Sequence, residues 1–112
     1  MFTVYIASPY SLGDVKHNVD IQIRTASTLI NKGYCPIAPL LSHFVHTQFP
    51  KSYFKWMIIS LHLVEKADVI LRLPGKSKDA TMEVNHAISK NIPVVYSLDA
   101  LEELFPCGVI YE

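Results

Sequence analysis

Apolar positions along the chain follow two alternating rhythms. Thr3-Val4-Tyr5-Ile6-Ala7 is a nearly unbroken apolar run, the pattern of a strand covered on both faces. It leads into Ser8-Pro9-Tyr10-Ser11-Leu12-Gly13, a loop by composition. Asp14 stands as an N-cap before Val15, Val19, Ile23, Ala26 and Ile30. Their three- and four-residue steps predict a helix with those side chains inward, ending at Asn31-Lys32-Gly33. Tyr34-Cys35-Pro36-Ile37-Ala38-Pro39 predicts a short second strand, whose prolines place it at a sheet edge. Residues 40–52 read as a long, aromatic, His-rich connection, and residues 51–66 as a helix with Phe54, Ile58, Leu61 and Val64 facing the core. Tyr53, Trp56 and Ser60 share a different face of it. Asp68-Val69-Ile70-Leu71-Arg72-Leu73 is the third strand, closed by Pro74-Gly75, and residues 79–90 form the next helix. Ile92-Pro93-Val94-Val95-Tyr96, a short helix over 98–105 and Val109-Ile110-Tyr111 complete the order as strand, helix and fifth strand.

Strands separated by helices pair in parallel through right-handed crossovers. The predicted fold is a three-layer α/β sandwich, flavodoxin- or Rossmann-like, with a five-stranded parallel sheet ordered 2-1-3-4-5 in one domain over residues 1–112. In such sheets ligands bind beyond the carboxyl ends of the strands, where the winding direction reverses. That points to residues 8–13, residues 74–79 and the connection after the second strand. Ser8, Tyr10 and Ser11 come from the first loop, Ser42 and His43 from the connection, and Ser77 and Glu83 from the third loop and its helix. Each also has a purely structural role open to it. Pro9-Tyr10-Ser11 suits a turn, Ser77 or Asp79 a helix cap, and Glu83 a partner for the helix dipole.

Composition narrows the reading. The chain has 112 residues, enough for one domain. Ten basic residues balance ten acidic ones, which excludes a general clamp for nucleic-acid polymers. Half the residues are hydrophobic and 18% charged, which excludes disorder. A mean hydropathy of +0.23 is apolar for so small a chain and predicts a subunit interface, hence a homodimer or larger assembly. No apolar run is long enough to span a bilayer, and Met1-Phe2-Thr3-Val4 lacks the marks of a leader peptide. Cys35 and Cys107 form no disulfide framework, so a reducing cytoplasm is the expected compartment. There is no G-x-G-x-x-G, no P-loop and no G-x-S-x-G elbow. His43-x-x-His46 has no further ligand at metal-binding spacing. No metal or cofactor is expected.

Across nearly its whole length the chain resembles the nucleoside 2-deoxyribosyltransferase-like superfamily, which includes transferases and nucleotide N-glycoside hydrolases. The similarity rests on residues 4–11, on Asn18 and the helix leading to Gly33-Tyr34-Cys35-Pro36-Ile37-Ala38-Pro39, and on Ser42-His43. It continues through residues 67–75 and Ser77-Lys78-Asp79-Ala80-Thr81-Met82-Glu83 to Ile92-Pro93-Val94. What the resemblance implies is cleavage or transfer of the N-glycosidic bond of a nucleoside or nucleoside 5′-monophosphate, with Glu83 as nucleophile. By the same resemblance Tyr10 holds the Glu83 carboxylate. Ser8, Ser11 and Ser77, with backbone N–H groups of the loops, hold the 5′ end of the substrate, Pro9 is a further substrate-binding residue, and His43 lines the pocket. Two positions differ from the family pattern. Ser60 stands where an aspartate is common, and Asp79 where a glycine is common. Asp79 opposes a 5′-phosphate by charge. Ser60 favours a second reading, a nucleoside- or nucleotide-binding module of the same fold with impaired turnover.

Overall fold

The computed structural model describes residues 1–106. Four strands, β1 (Thr3–Ala7), β2 (Cys35–Ile37), β3 (Val69–Arg72) and β4 (Val94–Val95), form one parallel sheet in the order β2-β1-β3-β4. The fifth strand expected at Val109-Ile110-Tyr111 lies outside the described residues, so the described sheet has four strands rather than five. Val4, Tyr5, Ile6 and Ala7 of β1 and Val69, Ile70 and Leu71 of β3 are fully buried, as unbroken apolar runs require of central strands. Pro36 sits in the edge strand, where a missing N–H costs least.

Alternation along β1 divides the core in two. Val4 and Ile6 pack with Leu29 of α1 (Val15–Asn31), Leu101 of α5 (Leu98–Leu104), Tyr34 and Val95. Tyr5 and Ala7 point to the other face, against Val64 of α3 (Tyr53–Val64) and Ala80, Val84 and Ala87 of α4 (Lys78–Ser89). These two helical layers around the sheet make the α/β sandwich. Side-chain caps set the helix starts. Asp14, Ser52, Ser77 and Ser97 accept the backbone N–H of His17, Lys55, Ala80 and Ala100 respectively. The α1 helix ends at Gly33, whose φ of +90° favours glycine, with Tyr34 N–H returning to Leu29 O at 3.0 Å.

Three expectations are corrected. The inward stripe of α1 is Val19, Gln22 and Leu29, while Ile23 and Ile30 are 37% and 60% exposed. The connection after β2 is not irregular: a 3₁₀ turn (Pro39–Leu41) runs into α2 (Ser42–Gln48). Its Ser, His, Thr and Gln residues carry no apolar rhythm from which a helix could be read. On α3, Phe54 and Ile58 lie 73% and 60% exposed instead of in the core. Val64 is buried as expected, while Met57 and Ser60 turn inward where Phe54 and Ile58 do not. No helix among the described residues is long and apolar enough to cross a membrane.

Candidate active site

A cavity of about 290 Å³ lies beyond the carboxyl ends of β1 and β2. Ser8, Tyr10 and Ser11 line it from the loop after β1, and Pro39, Leu40, Ser42 and His46 from the segment after β2. Tyr53, Trp56, Met57 and Ser60 contribute one face of α3, Asp79 and Glu83 one face of α4, and Gln22 and Lys51 complete the wall. The volume is at the small end of small-molecule sites (about 300–1,000 Å³) and too small for a polymer. Its chemistry is divided. Trp56, Met57, Pro39 and Leu40 make an apolar region, whereas the serines and both carboxylates make a polar one.

Glu83 is placed by helix geometry. Ser77 caps α4, and Ala80, Glu83, Val84 and Ala87 form its buried stripe. Glu83 thus points to the sheet rather than to solvent and is only 7% exposed. Burial pushes its carboxyl up to about 8, and the nearby charge of Asp79 acts in the same direction. The Tyr5 hydroxyl and the Arg72 guanidinium oppose this without reversing it. Being in the second turn of α4, Glu83 also lies past the reach of the helix N-terminus, which fades beyond the first turn. Tyr5 is fully buried beside it. Among the described residues, the Tyr5 hydroxyl is the one buried side-chain polar atom without a fully formed hydrogen bond. It lies close enough to Ser60 and Glu83 to interact with both, and burial, followed by the Glu83 charge, raises its pKa far above that of an ordinary phenol.

The expected residues divide into three groups. Glu83, Ser8, Tyr10, Ser11, Ser60 and Asp79 meet in one cavity. Tyr10, however, is not bonded to Glu83: its hydroxyl pairs with His43 Nδ1 at 2.7 Å, and the two rings meet edge-on. His43 therefore stands behind Tyr10 rather than on the cavity wall, and the phenol beside Glu83 is that of Tyr5. Pro9 packs on Gly75, where an added Cβ would come within 2.8 Å of Pro9 Cγ. Ser77 is the α4 cap and lines an outer groove with Ser11, Leu12, Tyr53, Lys78 and Asp79. Asp79 is not a cap. Its Oδ1 accepts the Tyr53 hydroxyl at 2.6 Å, joining the first turns of α3 and α4.

Several site residues escape a reading of the sequence. Gln22, 1% exposed, donates from Nε2 to Ser8 Oγ (2.8 Å) and Ile6 O (3.1 Å), and its Oε1 accepts Leu40 N–H at 2.8 Å. One side chain thus ties α1 to the loop after β1 and to the 3₁₀ turn. Its signal is a polar residue between Val19 and Leu29 on the inner stripe. Asn18 Nδ2 holds the same loop through Tyr10 O and Leu12 O, both at 2.9 Å. His46 Nδ1 accepts Trp56 Nε1–H at 2.8 Å and Lys51 N–H at 3.1 Å. The imidazole must then carry its proton on Nε2. Arg72 donates to the carbonyls of Leu73 and Gly75 and fixes the turn between β3 and α4.

Residues 2–97 match the model of a family described as a domain of unknown function, DUF7768. The chain belongs to that family. No curated protein matches it. Among solved structures, this DUF7768 member is similar to the 2-deoxyribosyltransferase of the psychrotolerant bacterium Bacillus psychrosaccharolyticus, described as a biocatalyst for synthesis of antiviral and antitumoral nucleosides. The two are 19% identical with a TM-score of 0.53, over 82% of this chain and 69% of the other. At that identity the likeness establishes the α/β fold.

Proposed function

We propose that this DUF7768 protein cleaves or transfers the N-glycosidic bond of a nucleoside or nucleoside 5′-monophosphate, with Glu83 as nucleophile. The observation that carries this reading is one buried carboxyl at a small cavity of a 2-deoxyribosyltransferase-like fold, with hydroxyls on one side and an aromatic wall on the other. The base lies against Trp56 and Met57, and the sugar lies among Ser8, Ser11 and Ser60 with C1′ at Glu83. An ionised Glu83 oxygen bonds to C1′ while the C1′–N bond breaks. Its electron pair leaves on the base nitrogen, which takes a proton from solvent. Water then attacks C1′ of the glycosyl ester, frees the carboxylate, and loses a proton to solvent. An incoming base nitrogen in place of water gives transfer. Tyr5 is the group that steadies the Glu83 carboxylate as it ionises, the role that the family resemblance gave to Tyr10. Tyr10, backed by His43, lines the sugar side.

A panel of deoxynucleosides and their 5′-monophosphates, assayed by chromatography for free base, tests the reading. Base release by wild type that is lost in Glu83→Ala supports it, and release undiminished in that variant refutes the assignment. Ser60 supports the second reading, since a hydroxyl cannot act as the general base that a carboxylate can near neutral pH. Saturable nucleoside binding without base release would favour that module.

We also infer that the chain works as a homodimer or larger homo-oligomer in a reducing cytoplasm. The spacing of Phe54 and Ile58 calls for burial, yet among the described residues nothing covers either, and Phe44, Val45 and Phe49, shortly before them in the sequence, are about half exposed or more. A second copy is the occupant that fits. Balanced charge gives copies of this chain no net repulsion.

A further inference from the structure

The helix α2 is a wall of the cavity held in place by imidazoles. None of its seven residues is buried. Among the described residues, its side-chain hydrogen bonds to the rest of the chain are made by two histidines one turn apart. His43 Nδ1 meets the Tyr10 hydroxyl at 2.7 Å. His46 Nδ1 accepts both Trp56 Nε1–H at 2.8 Å and Lys51 N–H at 3.1 Å. The His46 and Trp56 rings also meet edge-on, with centroids 6.0 Å apart. His46, Lys51 and Trp56 all line the cavity. One acceptor atom thus ties together α2, the entry to α3 and the indole of the aromatic wall.

The two imidazoles answer a proton differently. A hydroxyl both donates and accepts, so the Tyr10–His43 bond can reverse when Nδ1 gains a hydrogen. An indole N–H and a backbone N–H only donate. A hydrogen on His46 Nδ1 would face two donors, and neither bond survives it. From this contrast we propose that His46 is the positioning residue of the aromatic wall: with Nδ1 bare it holds Trp56 at the cavity, and a proton there releases the indole and loosens α2. The base end of the site is therefore formed in neutral and alkaline solution and lost in acid. The hold on Trp56 stands on geometry alone, whereas its effect on binding rests on the glycosidic reading, in which the base lies against that ring. The other titratable groups around the cavity are His43 on the same helix, Tyr10 of the loop after β1, Lys51 before α3, Tyr53 of α3, and Asp79 and Glu83 of α4. All of them remain when His46 alone is replaced, so a response confined to His46 is separable from theirs.

Trp56 is the only tryptophan, so a proton–nitrogen correlation spectrum shows one indole N–H signal and reads the bond without any ligand. His46→Asn puts a carbonyl oxygen near the place of Nδ1 and cannot take up the proton, whereas His46→Ala removes the acceptor. Between about pH 8 and pH 5, a span that brackets imidazole titration, the wild-type signal should move upfield. In His46→Asn it should keep its position, and in His46→Ala it should stand at the released position throughout. Calorimetric titration with thymidine and deoxyadenosine should show wild-type affinity falling about fivefold relative to His46→Asn over that span, the worth of one ordinary hydrogen bond. Circular dichroism establishes that each protein is folded at both ends of it. A wild-type indole signal that stays in place, or one that moves as far in His46→Asn, overturns the inference whatever the protein binds. A released indole with no fall in affinity relative to His46→Asn overturns the positioning role. If neither nucleoside binds at either pH, the glycosidic reading fails, and the indole signal alone upholds or overturns the hold of His46 on Trp56.

Discussion

Glu83 should cost the protein stability, and the cost should grow with pH. The folded state raises its carboxyl from 4.5 to about 8. Between those values the folded chain keeps a proton that the unfolded chain has released, so the unfolded state binds fewer protons and stability falls as pH rises. The slope is about 1.4 kcal/mol per pH unit within that window. At pH 5 the loss is under about 1 kcal/mol, at pH 7 about 3, and above pH 8 it levels off near 5. Glu83→Gln removes the titration while keeping the shape. Its stability relative to wild type should therefore rise from pH 5 to pH 8 along that curve. Any fixed cost of burying the amide adds the same offset at every pH. Urea unfolding followed through Trp56, the only tryptophan, supplies the measurement. Contributions common to both proteins cancel in the difference. A difference that stays flat between pH 5 and pH 8, or a variant that loses ground as pH rises, would refute the buried and protonated state of Glu83.

The same ionisation governs catalysis with the opposite sign. At pH 7 only about a tenth of Glu83 is ionised in the free protein, so kcat/KM for base release should climb roughly tenfold per unit and level off above pH 8. A rate that falls through pH 8 would make Glu83 an acid instead of a nucleophile. Gln22→Met should destabilise by about 2–4 kcal/mol, because it leaves Leu40 N–H and Ser8 Oγ without their partner; the urea midpoint reads this directly. Phe54→Glu with Ile58→Glu should yield a monomer in sedimentation at micromolar concentration, whereas wild type should sediment as a dimer or larger. A monomeric wild type would count against the interface.

The layered fold was legible because its strongest signals are local. Unbroken apolar runs mark β1 and β3, Asp14 caps α1, and Gly33 ends it. The gathering of Ser8, Tyr10, Ser11, Asp79 and Glu83 followed from chain order and from the rule that ligands sit at strand carboxyl ends. What stayed hidden depends on direction and partners. Alternation puts Tyr5 on the same sheet face as Ala7, and therefore on the α4 side with Glu83. Identifying Tyr5 in place of Tyr10 required knowing which face α4 covers. Phe54 and Ile58 carry a real apolar stripe, but periodicity reports a need for burial without naming the surface that meets it. The short helix α2 has no buried residue and no apolar rhythm, so no run of side chains announces it.

The outer edge of the sheet has a consequence for how copies can meet. Cys35 N–H bonds inward to Phe2 O at 2.9 Å, so in a three-residue strand the backbone of Pro36 is the one turned outward. Proline brings a carbonyl there and no donor. A foreign strand laid along β2 would find nothing to give it a hydrogen bond, and a ladder extended from molecule to molecule cannot begin on that side. Pairing of copies by strand addition at the β2 edge is thus opposed by one imino acid, whatever happens at the opposite edge, β4.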